Sequence, residues 1–404
     1  MPTTAKVAKT YKSLVKNEIT LSSLSPFTQW LPRKILPGIR FHWNAIWHHR
    51  LATEIACQFS EKGDYGTFLT DLEKYYKEYG KMLSTMPLCS NKSISHYIGQ
   101  CALDALLKKV NEKNIMTLDE AFSRVTKDGA FIEGGHYSQF VIECFDRVGV
   151  LFDNWFGESD NQILQDSYIH LANNIGKVKT WQRRIADTDG VMAVIGDGWH
   201  EKIIPGVEDG VFYYKDMTIY RESDWLVIKN HRQHSFSLHQ HPHGDEILIA
   251  HKNNWLIKGS GMPSYKHVMR KPWKWRRPRN HFFTESWLDW WILWRYRVNW
   301  SRDKSNSRAV DINDTDLSIF ESGKKTVRLP GIRSEVIGGL TSPYLWWYGK
   351  FTFLVDGINI KLRRADYAHA ATTYNNEEKI PVVRISGENL KIRISINDRK
   401  ETDS

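Results

Sequence analysis

His241-Pro242-His243-Gly244-Asp245, followed at once by Ile247-Leu248-Ile249-Ala250, is the stretch on which the fold reading turns. In an extended chain successive side chains alternate, so His241, His243 and Asp245 share one face. Two imidazoles and a carboxylate projecting together suit proton transfer or metal binding, and they fill a core poorly. An HxHxD of this length also arises by chance. Its surroundings decide between the two.

Working outward, short β-rich runs occupy Val191–Ile195, Val211–Tyr214, Met217–Tyr220, Trp225–Lys229 and Trp255–Lys258. Others follow at Phe351–Val355, Ile358–Leu362, Val382–Ile385 and Leu390–Ile396, with Asp356-Gly357 reading as a two-residue hairpin turn. Many short strands separated by turn residues predict an antiparallel β-sandwich. Upstream the period changes to that of helices. Ile98, Cys101, Ala102, Leu106 and Val110 form one apolar stripe, and Tyr137–Phe152 and Ile163–Arg183 carry two more. Thr117-Leu118-Asp119-Glu120 has the form of a capping box opening a helix through Val125. The expected organisation is α+β and multidomain: a helical domain over 1–185 and an antiparallel β-sandwich domain over 186–404, meeting near the Asp187-Thr188-Asp189-Gly190 turn.

The 404-residue chain carries a formal charge of +10, which favours an acidic partner such as a polyanionic sugar, a nucleic acid or an anionic membrane. Its 17 Trp residues suit stacking on sugars or bases as well as ordinary packing, and five of them crowd into His281–Trp300 as a buried helix or strand, a sugar-stacking wall or a membrane-surface contact. Cys57, Cys89, Cys101 and Cys144 form no CxxC pair and read as free buried thiols. No GxSxG elbow, phosphate loop or dinucleotide fingerprint is present. No apolar run of signal-peptide or membrane-span length occurs, so the chain is expected to be cytoplasmic without a transmembrane segment; a periplasmic or secreted location stays open.

Several segments in order resemble the heparinase II/III family of polysaccharide lyases. They are Val211-Phe212-Tyr213-Tyr214, Tyr220-Arg221-Glu222-Ser223-Asp224-Trp225-Leu226-Val227, the HxHxD, Trp255-Leu256-Ile257-Lys258-Gly259-Ser260-Gly261 and Ser264-Tyr265. In the helical half, Asp128-Gly129-Ala130-Phe131-Ile132-Glu133 followed by His136-Tyr137 resembles that family's DG-x-x-x-E segment before the catalytic Tyr. Ser90-Asn91-Lys92-Ser93 resembles its carboxylate-binding Asn segment. The family usually has one more residue between Glu and Tyr, and a His where Lys92 stands. The resemblance implies an N-terminal α/α domain forming an incomplete, shortened toroid before the β-sandwich.

It also implies cleavage of a uronate-containing acidic polysaccharide or oligosaccharide by β-elimination. Asn91 would offset the uronate carboxylate, and Tyr137 and His241 would be the proton-transfer groups. Lys92, Glu133, His136, Arg221 and His243 would bind or support the substrate. Read locally, Asn91 is equally a helix cap and Tyr137 a packing residue. Some family members bind a metal through the second His of HxHxD, an Asp ending the next strand and a later His. Lys258 holds that Asp position and His281 is the one candidate for the later His, so neither a metal nor any other cofactor is expected. Two other classes stay in view. One is a non-catalytic glycan-binding or capsule/exopolysaccharide-assembly protein on the same fold. The other, nucleic-acid binding, rests on the basic tract Lys271–Arg279 and has no accompanying fold signature, so a nucleic-acid partner is not expected.

Overall fold

The computed structural model of the protein describes residue 73 and residues 91–397, except 132, 197, 207, 216, 231–245, 260–307, 339–342, 364–365 and 374–375. The described chain divides into two compact units. One takes residues up to Glu133 and Tyr137–Thr180; the other takes Gly134–His136 and everything from Trp181 onward.

The first unit is helical: α1 Asn91–Leu106, α2 Glu112–Val125, α3 Gly135–Asp146, α4 Gly149–Phe152 and α5 Gln162–Arg184. A π-helical turn, Asp153–Gly157, follows α4. Apolar residues at helical spacing bury one stripe of each longer helix, including Ile94, Ile98, Cys101, Leu118, Phe122, Val141, Leu171 and Ile175. Phe152 sits edge-on to Phe145 and Phe156, at 5.4 and 5.1 Å between ring centres. Cys101 and Cys144 are buried free thiols; Cys57 and Cys89 lie outside the described residues. Thr117 does not open a helix. It stands inside α2, where its hydroxyl donates to the Lys113 carbonyl one turn back at 2.6 Å. The expected toroid draws heavily on residues 1–90, which apart from Glu73 lie outside the described set.

The second unit holds two antiparallel sheets. The first runs in sequence order: β1 Gly210–Tyr214, β2 Met217–Glu222, β3 Trp225–Asn230, β4 Glu246–His251 and β5 Asn254–Ile257. The second contains β6 Arg308–Ile312, β7 Asp316–Pro330, β8 Tyr344–Tyr348, β9 Phe351–Leu362, β10 Asp366–Thr373 and β11 Asn376–Ile396. Its order is β6-β7-β11-β9-β8, with β10 pairing β11. Trp225, Val227, Ile247, Ile249 and Ile257 of the first sheet share one core with Leu317, Ile319, Trp346, Phe353, Ile385 and Ile392 of the second. The middle strands β2 to β4 of the first sheet are buried on both faces. Met217, Ile219, Leu226, Ile228, Leu248 and Ala250 alternate away from that core and are buried as well, which explains why β3 and β4 read as continuous apolar runs.

Three expectations about strands are corrected. Val191–Ile195 is not a strand; only isolated bridges join Ala186 to Met192 and Val191 to Lys202. Asp356-Gly357 does not turn a hairpin, because β9 runs straight through it. Val382–Ile385 and Leu390–Ile396 likewise belong to one strand, β11. The physical reason lies in the register. Lys391 pairs Asp356 and Glu388 pairs Ile358, so β11 has an extra residue there; Ser386 then pairs Lys361, so β9 has one. Asn389 and Asn359 adopt φ of 50° and 53°, the left-handed region that Asn tolerates. Polar and glycine residues that look like turn signals are bulges that bend two long strands together.

Candidate active site

Asn91 is the first residue of α1, and its backbone N–H is one of the donors a helix start leaves unpaired. Glu133, distant in sequence and itself buried, accepts that N–H on Oε2 at 2.8 Å. A carboxylate at the positive end of a helix is favourable by roughly 0.3–1 kcal/mol, and more where partly buried. Asn91 is thus anchored by its backbone: the residue is 1% exposed, and its Oδ1 has no hydrogen-bond partner among the described residues. Lys92 follows in the same helix. Two of the residues expected from sequence, Asn91 and Glu133, are therefore brought together, and Glu133 acts through the backbone of Asn91.

Tyr137 is half-buried in the first turn of α3. The residues just before it are packed by glycines. Gly134 has φ +93°, and a Cβ there would lie 1.8 Å from the Ile195 carbonyl oxygen. A Cβ on Gly259, just past β5, would lie equally close to the carbonyl oxygen of Val194. Only glycine permits either approach.

His136 lies against the segment that follows. Its Nδ1 is 2.7 Å from Glu201 Oε1, and its ring centre is 4.2 Å from that of Trp199. Gly198 has φ +120°, and a Cβ on it would come within 2.5 Å of the His136 Cβ. This segment is fixed by its own ladder. Met192 N–H donates to the Glu201 carbonyl at 2.9 Å, Ile203 N–H to the Gly190 carbonyl at 2.9 Å, and His200 Nδ1 lies 2.8 Å from the Met192 carbonyl. Burial lowers the pKa of His200. Sequence reasoning passed over Glu201 and Trp199. The string Gly198-Trp199-His200-Glu201, polar and aromatic residues behind a glycine, was the available signal.

Arg221 is 5% exposed, and its guanidinium serves the end of α5. Nη1 donates to the carbonyls of Arg184 and Ala186 and more weakly to that of Arg183. Trp181, in the last turn of that helix, donates its indole N–H toward Met217 Sδ at 3.3 Å. Arg221 thus caps the last turn of that helix, which from Trp181 onward belongs with β2 to the second unit. His241, His243 and Asp245, with the Trp-rich and basic tracts downstream, lie outside the described residues. Lys258 places its ammonium 2.5 Å from Glu378 Oε2, joining the end of β5 to β11. An ammonium has no lone pair to offer a cation, so Lys258 itself is not a metal ligand. Among the described residues no group of three or more metal-ligating side chains is assembled, and no helix is long and apolar enough to cross a membrane.

No protein-family model matches the sequence, and no curated protein matches it. Solved structures do. A mutant of the heparan sulfate lyase HepC from Pedobacter heparinus superposes with a TM-score of 0.59 at 12% identity, covering 99% of this chain and 74% of that one. A second heparinase III gives 0.59 at 13% identity, covering 91% of this chain and 70% of that one. The non-mutant HepC gives 0.56 at 12% identity, over 98% and 74%. Identity this low speaks of architecture alone. The chain has a heparinase III-like fold, an α+β arrangement of helices followed by antiparallel sheets.

Proposed function

We propose that this protein is a polysaccharide lyase that cleaves a uronate-containing acidic polysaccharide or oligosaccharide by β-elimination. The observation that carries the reading is Asn91: a buried amide at the start of a helix, anchored through its backbone N–H by Glu133, with its Oδ1 unpartnered among the described residues. Burying a polar group without a partner is costly, and an unpartnered amide oxygen is an acceptor, so a sugar hydroxyl would complete it while the NH2 end of the same amide faces the carboxylate. The formal charge of +10 suits a polyanionic substrate.

The chemistry follows from the sugar. The C5 proton is α to the carboxylate but barely acidic while that carboxylate is anionic. The Asn91 amide donates hydrogen bonds to the carboxylate and stabilises the enolate-like charge that develops there. His241 or Tyr137 removes the C5 proton. The freed electron pair forms the C4–C5 double bond, the C4–O bond breaks, and the leaving oxygen takes a proton from Tyr137. No water is consumed and no covalent enzyme intermediate forms. Lys92 assists with the carboxylate, and His243 orients neighbours of His241.

Ultraviolet absorbance of the unsaturated uronate, followed across a panel of acidic glycans that includes heparan sulfate, tests the proposal. The wild type generates the band. Tyr137→Phe and Asn91→Ala each lower the rate by about 100-fold or more while the thermal midpoint is kept, in line with the usual worth of an acid–base group or an anion-stabilising donor. Glycan binding with no absorbance from the wild type assigns instead a binding or assembly role on the same fold. Full activity in both variants removes Asn91 and Tyr137 from the site.

A further inference from the structure

We infer that Glu201 is a positioning residue for His136: it fixes the ring in the Nδ1–H form and leaves Nε2 as the proton-accepting nitrogen at the position next to Tyr137. The link to catalysis rests on the lyase reading above; the tautomer itself does not.

The geometry is specific. A carboxylate only accepts hydrogen bonds, so the hydrogen shared over the 2.7 Å between His136 Nδ1 and Glu201 Oε1 is carried by the imidazole. A neutral imidazole holds one hydrogen, so Nε2 then has the lone pair. Carboxylate orientation of a working imidazole through its other nitrogen is a recurring device, because it sets the tautomer and steadies the ring when it becomes cationic. Both side chains are partly shielded, at 20% and 28% exposure, so the contact is screened less than a surface pair. Three further constraints leave the ring little freedom. Trp199 tilts against it at 49°, Gly198 leaves no room for a Cβ, and Gly134 seats the preceding backbone on the Ile195 carbonyl. The Glu201 backbone is itself tied to Met192. This is more restraint than an incidental surface histidine receives, and it acts on the residue preceding the proposed acid.

Long-range proton–nitrogen spectra of the full chain labelled with [15N]histidine test this directly, with the His136 signals identified by their loss in His136→Gln. The wild type shows the Nδ1–H tautomer. Glu201→Gln keeps it, since the amide oxygen still accepts, and Glu201→Ala releases it toward the Nε2–H form that free imidazole favours. In parallel, on whichever glycan the wild type cleaves, Glu201→Ala lowers kcat by about 100-fold with KM changed by less than about threefold, and Glu201→Gln restores most of the rate. His136 spectra unaltered by Glu201→Ala, or tautomer loss equal in Ala and Gln variants, overturn the inference. A wild type that cleaves no glycan defeats the lyase reading while leaving the tautomer result intact, so the two failures are distinguishable.

Discussion

His136 and His251 both sit against aromatic rings in the second unit, and they are held there by opposite means. His136 stays partly exposed and keeps a carboxylate at 2.7 Å. His251, at the end of β4, is 3% exposed; its ring packs edge-on to Trp225 and Phe351 at 4.8 and 5.7 Å, and its Nδ1 has no partner among the described residues. Burial, reinforced by Lys350, pushes the His251 pKa down to about 4. One imidazole keeps a carboxylate partner; the other is used as a ring and kept neutral. The difference shows that a histidine's surroundings, more than its presence in a pattern, decide what it contributes.

Gly134→Ala presses hardest on the first of these regions. The new Cβ would meet a carbonyl oxygen at 1.8 Å from a left-handed backbone, so we expect a loss of about 3–5 kcal/mol, combining conformational strain with overpacking. Chemical denaturation of the variant checks it. A loss below about 1 kcal/mol would mean that this close approach does not hold the His136 segment.

Acid presses on the second region. His251 has its folded pKa lowered to about 4 from an ordinary 6.5, and His96 in α1 is lowered equally by burial. The unfolded chain therefore takes up protons first. Stability from these groups is complete above about pH 6.5 and drains away as the pH falls toward about 4, at roughly 1.4 kcal/mol per pKa unit for a fully shielded group. Denaturation midpoints measured from pH 7 to 4 should fall, and His251→Phe should flatten part of that slope. An unchanged slope in His251→Phe would show that this ring is not what senses acid.

The smallest effect is expected away from both histidines. Thr117→Ala in α2 should shift stability by no more than about 0.5 kcal/mol, since the hydroxyl only back-bonds to Lys113. A loss near 1 kcal/mol would restore the capping role that its sequence context suggests.

Thr117 illustrates what the sequence could and could not disclose. The apolar spacing marked α2, but Thr-x-x-Glu marks a helix start only when nothing upstream is helical, and Glu112–Met116 is. Alternation in Met217–Tyr220 and Trp225–Lys229 was enough to find β2 and β3. It marked both halves of β9 and of β11 but split each strand at bulged Gly and Asn residues, which carry the same local signal as turns, and it left β7 unread. Short motifs singled out Asn91 and Glu133, which the fold brings into contact, and Tyr137. Glu201 was not, because its partner lies 65 positions away and only the folded chain brings them together.

Mass spectrometry of the fragments from a defined uronate-containing oligosaccharide tests the central claim most directly. Elimination consumes no water, so the account predicts two fragments whose masses sum to that of the intact substrate, the unsaturated one lighter by a water than its hydrolytic counterpart. Fragments that sum to the substrate plus one water would contradict it.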